Sequence, residues 1–112
     1  MRITNPENSG LTAVVDEALV DTGATSTYVP ASLADRLGLR RRGSASVRTA
    51  EGVQQLDASW AELELQGKQL VTHILVSETL DVVLIGVTTL EGMGFAVDPG
   101  GQRLVPTELL LL

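Results

Sequence analysis

The sequence predicts an all-β domain carrying one or two short helices. Eleven glycines punctuate short runs rich in Val, Leu and Thr, the pattern of many strands joined by tight turns. Across residues 44–76 polar and apolar side chains alternate with a period near two. A length of 112 residues fits one domain, residues 1–112, around one modest core, and 44% hydrophobic against 20% charged residues argues for a folded chain.

Taken in order, Asn5-Pro6-Glu7-Asn8-Ser9-Gly10 predicts a turn-rich stretch, and residues 11–20, apolar apart from Thr12 and the pair Asp16-Glu17, predict strand, tight turn, strand. Leu33 and Leu37 stand at i and i+4, with Pro30 ahead and Gly38 behind, which predicts a helix of about two turns at most. The following Arg40-Arg41-Arg42 reads as a solvated helix exit whose cations complement the helix dipole. Consecutive antiparallel hairpins come next. The first has its tip at Ala50-Glu51-Gly52 and the second turns at Gln66-Gly67-Lys68. Asp81-Val82-Val83-Leu84-Ile85-Gly86 predicts a strand buried on both faces. Residues 88–93 predict one helical turn or more with Thr88 as its cap, and Pro99-Gly100-Gly101 a further hairpin. The closing Leu109-Leu110-Leu111-Leu112 would be an exposed apolar strand on a monomer.

Composition removes several function classes. Eight Lys+Arg against fourteen Asp+Glu leave a charge of -6, a field that repels polyanions, so neither nucleic acid nor an anionic membrane is an expected partner. Without cysteine there is no disulfide, thiolate nucleophile or Cys-based zinc site, and one histidine cannot build a multi-His centre, so no metal or other cofactor is expected. The N-terminal residues lack the apolar core of a signal peptide, and no apolar run approaches the roughly 20 residues of a membrane span, which predicts a soluble, cytoplasmic protein. Trp60, Tyr28 and Phe95 are too few for a base-stacking platform and are assigned to the core or a pocket wall. His73 is assigned to a solvent-facing strand position or a satisfied core position rather than to a catalytic base.

The segment that carries chemistry is Ala18-Leu19-Val20-Asp21-Thr22-Gly23-Ala24-Thr25. A carboxylate ends an apolar strand, a small hydroxyl residue follows, and a glycine then lets the backbone turn sharply. This resembles the Asp-Thr-Gly-Ala active-site loop of the retropepsin-like (retroviral-type) aspartic proteases, in particular their small bacterial members. Two further segments stand in the order that family requires. A glycine-tipped hairpin, Thr49-Ala50-Glu51-Gly52, lies about thirty residues later, where the family has its flap, and Leu84-Ile85-Gly86 resembles the hydrophobic-hydrophobic-glycine segment that passes under the active-site loop. The likeness covers nearly the whole chain. It departs at Thr25 and Val87, where viral members carry an acidic residue and an arginine that pair between subunits.

The resemblance implies a closed acid-protease β-barrel in a two-fold homodimer. It implies a catalytic loop of Asp21, Thr22 and Gly23, with the Thr22 hydroxyl hydrogen-bonding across the two loops. Substrate contacts would come from Ala24, Thr25, Thr49, Ala50, Glu51, Gly52, Leu84, Ile85 and Gly86. Aspartic proteolysis needs two carboxylates sharing one proton, and this chain has a single Asp-Thr-Gly, so each of two chains would supply Asp21. The expected activity is that of an aspartic endopeptidase acting on a polypeptide, with a bell-shaped pH dependence on the acid side. Two other readings remain. One is a non-catalytic dimerisation or peptide-binding module of the same fold, which the uncharged Thr25 and Val87 allow. The other is a carbohydrate-active protein, which needs two acids in one cleft and finds no supporting constellation.

Overall fold

A computed structural model describes residues 1–98 and the backbone of residues 103–106. Ten strands and two short helices form the chain among those residues. The main sheet has the order β2-β1-β6-β7-β4-β8-β3, where β1 is Arg2–Asn5, β2 Asn8–Val14, β3 Ala18–Val20, β4 Thr27–Pro30, β6 Gly52–Leu65, β7 Lys68–Ser77 and β8 Val83–Ile85. It curls as a half-barrel whose end strands, β2 and β3, are not paired with each other among the described residues. β5, Ser44–Thr49, pairs only with the first half of the long β6, while the second half of β6 pairs with β7 and β1. β9, Phe95–Asp98, and β10, Arg103–Pro106, form a separate antiparallel pair.

Period-two patterning accounts for the core. In β6, Ala61 and Leu63 point inward while Trp60, Glu62 and Glu64 alternate with them, and in β7 Ile74 and Val76 join the same core. Ile3, Val29, Val83 and Ile85 complete its centre, each at most 1% exposed. Burial of each such aliphatic contributes about 1.5–3 kcal/mol. The β6–β7 hairpin turns at Gln66 and Gly67, with φ of 50° and 79°, the left-handed pair that a two-residue turn of this twist requires.

Several sequence expectations shift. The first turn is confined to Pro6 and Glu7, because Asn8–Val14 returns along β1 as a strand, and the opening residues Arg2–Asn5 are themselves a strand. β2 and β3 follow each other in sequence but stand at opposite ends of the sheet, so residues 15–17 are a crossover and not a hairpin turn. The strand expected over residues 81–86 is only Val83–Ile85, with Leu84 half-buried. Helix α1, Ala31–Arg36, forms behind Pro30 as expected. Its end is held by Asn5, whose side-chain amide donates to the carbonyls of Leu37 and Gly38 at 2.9 and 3.1 Å. Helix α2, Val87–Met93, starts from Gly86 without a side-chain cap, so Thr88 belongs to its first turn, and Gly94 closes it at φ 78°.

The arginine run is not merely a solvated exit. Arg40 and Arg42 reach Glu7 at 3.4 and 3.1 Å, and Arg41 reaches Asp35 at 2.6 Å and Asp57 at 3.7 Å, so the run ties the first turn, α1 and β6 together. Trp60 is also displaced from its expected place. It is 44% exposed on the outer face of the sheet, edge-on to the exposed His73 with ring centroids 5.6 Å apart, because its β6 position faces away from Ala61 and Leu63. Phe95 is in the core and Tyr28 lines a cleft. Residues 99–102 and the leucines 109–112 lie outside the described residues.

Candidate active site

The geometry of the site follows from strand order. β3 and β4 flank β8 on either side, β3 running parallel to it and β4 antiparallel, so the six residues between them, 21–26, must arch over the end of β8. Backbone hydrogen bonds fasten the arch to the chain beneath it. The Asp21 N–H donates to the Ile85 carbonyl at 3.0 Å, the Val87 N–H to the Ala24 carbonyl at 2.8 Å, and the Thr88 N–H to the Thr25 carbonyl at 3.2 Å. Asp21 is therefore fixed on both its strand side and its loop side.

Two glycines make this crossing possible. At Gly86 a Cβ would lie 2.5 Å from the Ser26 carbonyl carbon and 2.7 Å from the Thr25 oxygen, a clash with backbone that no rotamer relieves. At Gly23 a Cβ would sit 3.1 Å from the Asp21 Oδ1, which instead accepts a hydrogen bond from the Gly23 N–H at 2.9 Å. The carboxylate is thus oriented by its own loop. Beneath it, the buried Thr27 Oγ1 accepts from the Gly86 N–H at 3.0 Å and lies 2.6 Å from the Thr89 Oγ1, joining β4, the end of β8 and α2. Neither Thr27 nor Thr89 was marked by sequence. The only available signal was a hydroxyl residue inside an apolar strand, where burial demands a partner.

Asp21 opens into a cleft of about 940 Å³. Of the residues marked from sequence, Asp21, Gly23, Ala24, Thr25, Thr49 and Leu84 line it together. Thr22 is exposed and outside the lining, as are Ala50, Glu51 and Gly52 at the hairpin tip. Ile85 and Gly86 lie behind the arch, Ile85 because its side chain points into the core at 1% exposure and Gly86 because it passes under Ser26. The hairpin forms the opposite wall from β5 and the start of β6, and its tip is tied by the Thr49 hydroxyl, which donates to the Gly52 carbonyl at 3.0 Å and accepts from the Glu51 N–H at 3.2 Å. The loop after β7 supplies Glu78, Thr79 and Leu80, lining residues that the sequence did not single out. Among the described residues no group of three or more His, Asp or Glu is placed to hold a metal ion, and no helix is long and apolar enough to cross a membrane.

The site is thus a carboxylate fixed on an arch over a glycine crossing, facing a cleft walled by a hairpin. Comparison with known proteins gives its class. Residues 13–92 match the family described as "gag-polyprotein putative aspartyl protease", and the chain belongs to that family, whose enzymes are aspartic-type endopeptidases. The fold is shared with the EIAV protease complexed with the inhibitor HBY-793, at 20% identity over 84% of this chain and 80% of that one, TM-score 0.61. The simian foamy virus (mac) protease is 26% identical over 66% of this chain and 78% of that one, TM-score 0.54. A retropepsin-like aspartic protease from Rickettsia conorii is 27% identical over 70% of this chain and 63% of that one, TM-score 0.52. Curated proteins give no match.

Proposed function

We propose that the chain is a homodimeric aspartic endopeptidase in which each protomer supplies Asp21 to one shared dyad, and that residues 1–112 act as a single domain forming half of the site and of a closed barrel. The observation that carries this reading is the fixed Asp21 carboxylate on the floor of a peptide-sized cleft, one per chain. The other acid lining the cleft, Glu78, comes from the loop after β7 and not from the arch. A second Asp21 therefore has to come from a second copy related by a two-fold axis.

In the proposed reaction an extended polypeptide lies between the arch and the hairpin. The ionised member of the dyad takes a proton from a water molecule, which attacks the scissile carbonyl, while the protonated member donates a hydrogen bond to the carbonyl oxygen. Collapse of the tetrahedral intermediate then transfers a proton to the departing amine, and the dyad returns to its singly protonated state. Gly23 orients the carboxylate through its N–H, Thr22 bonds across the two loops, and Ala24, Thr25 and Leu84 contact the peptide. The hairpin of Thr49, Ala50, Glu51 and Gly52 closes as a flap and excludes water. Ile85 and Gly86 act from behind, by holding the arch.

The test compares wild type with Asp21→Asn on an unfolded protein mixture from about pH 3 to pH 8, with the mass of both measured by light scattering. Two dimers of which only the wild type cuts are the expected result. A folded, dimeric wild type that cuts nothing would overturn the reading in favour of a non-catalytic peptide-binding module, which the uncharged Thr25 and Val87 allow.

A further inference from the structure

The cleft holds two charges that no other described residue pairs. Its charged lining residues are Asp21, Arg48 and Glu78. Arg48 is on β5, in the hairpin wall, opposite Val53 in the strand register, and Glu78 is on the loop after β7. Of the other arginines in this acidic chain, Arg40, Arg41 and Arg42 each reach a carboxylate. Among the described residues neither Arg48 nor Glu78 has a side-chain hydrogen bond or an ion pair, with each other or with any other residue.

Both charges are carried by ordered backbone. Arg48 is inside a two-stranded ladder whose tip is pinned by Thr49. Glu78 stands in a turn closed by the 5% exposed Ser77, whose Oγ accepts from the N–H groups of Thr79 and Leu80 at 3.2 and 3.1 Å. The rest of the lining mixes apolar side chains such as Leu56, Leu75 and Leu84 with uncharged polar ones such as Ser46, Gln54 and Gln55. An extended peptide directs alternate side chains to opposite sides. A charge on the hairpin wall and another on the loop after β7 thus read the sign of substrate side chains at separate positions.

We infer that Arg48 and Glu78 select the substrate by charge: peptides with an acidic side chain beside Arg48 and a basic one beside Glu78. This rests on the protease reading for the identity of the cleft as the substrate site. Because the whole chain carries a charge of -6, acceptance of an acidic side chain depends on Arg48. A pair formed in the partly enclosed cleft gives a preference of about three- to tenfold over the neutral residue, shrinking as salt rises.

The test uses one synthetic extended peptide and its single-residue variants, with Glu, Gln or Lys at each position flanking the central bond. Each is measured for cleavage and, with a reduced peptide bond, for binding by fluorescence anisotropy, against wild type, Arg48→Glu and Glu78→Lys. The expected result is an acidic-to-neutral ratio above one at one position, inverted by Arg48→Glu, and a basic-to-neutral ratio above one at another, inverted by Glu78→Lys. Ratios that these replacements leave unchanged, or binding of none of the peptides, would overturn the inference. Binding ratios that invert while wild type cuts no peptide would uphold charge selection and overturn the proteolytic reading instead. Peptides from the reduced-bond series keep the two outcomes separate.

Discussion

Gly86 passes directly beneath Ser26, close enough that a Cβ there would lie 2.5 Å from the Ser26 carbonyl carbon. This contact joins the two ends of the site, because residue 26 closes the arch that begins at Asp21 and residue 86 begins α2. Only backbone fits between them. The glycine is a condition for the aspartate's position, although it lies outside the cleft lining.

Gly86→Ala is expected to destabilise the fold by about 3 kcal/mol or more, since the obstruction is backbone and cannot rotate away. Urea unfolding measures it. A loss under about 1 kcal/mol would mean that the arch moves freely, contrary to the hydrogen bonds that fasten it.

The buried Thr27 and Thr89 hydroxyls make a second support. Thr27→Val strands the Gly86 N–H and is expected to cost about 1–3 kcal/mol, with Thr27→Ser retaining most of the stability. In a double-mutant cycle Thr27→Val and Thr89→Val should lose less together than the sum of the two single changes. Strict additivity in denaturant midpoints would show that the two hydroxyls do not interact.

The arginine clasp is expected to matter little by comparison. Asp35 is 71% exposed at its side chain, so Arg41→Ala should cost at most about 1 kcal/mol, and less in high salt. Thermal melts at low and high ionic strength check this. A large, salt-independent loss would point to packing of the arginine stem in place of its charge.

For a dyad sharing one proton, the rate against pH is expected to be bell-shaped on the acid side, because the doubly ionised pair lacks the acid and the doubly protonated pair lacks the base. Peptide hydrolysis followed from acid into alkali tests it, and a rate that stays flat into alkali contradicts the shared proton.

Much of this was legible in the sequence because it was local. Asp21-Thr22-Gly23, the helix framed by Pro30 and Gly38, and the hairpin at residues 50–52 are each written in a few adjacent residues. Pairings between distant segments were not. Nothing in the alternation of residues 11–20 tells that β2 and β3 part to opposite ends of a sheet, or that β4 and β7 run parallel. Period two fixes which side chains share a face and leaves the partner strand open. For the same reason the Thr27–Thr89 contact, 62 residues apart, stays hidden, and Trp60, expected in the core or a pocket wall, is turned outward by its register.

The central claim is that one active site contains Asp21 from two chains. Mixing wild type with Asp21→Asn at fixed total concentration, with subunit exchange complete and dimer mass confirmed by light scattering, tests it most directly. If both aspartates are needed, activity follows the square of the wild-type fraction, about one quarter remaining in an equal mixture. A linear decline, with about one half remaining in the equal mixture, would mean that each chain works through its own Asp21 alone, and about three quarters remaining would mean that one Asp21 per dimer suffices; either contradicts the account.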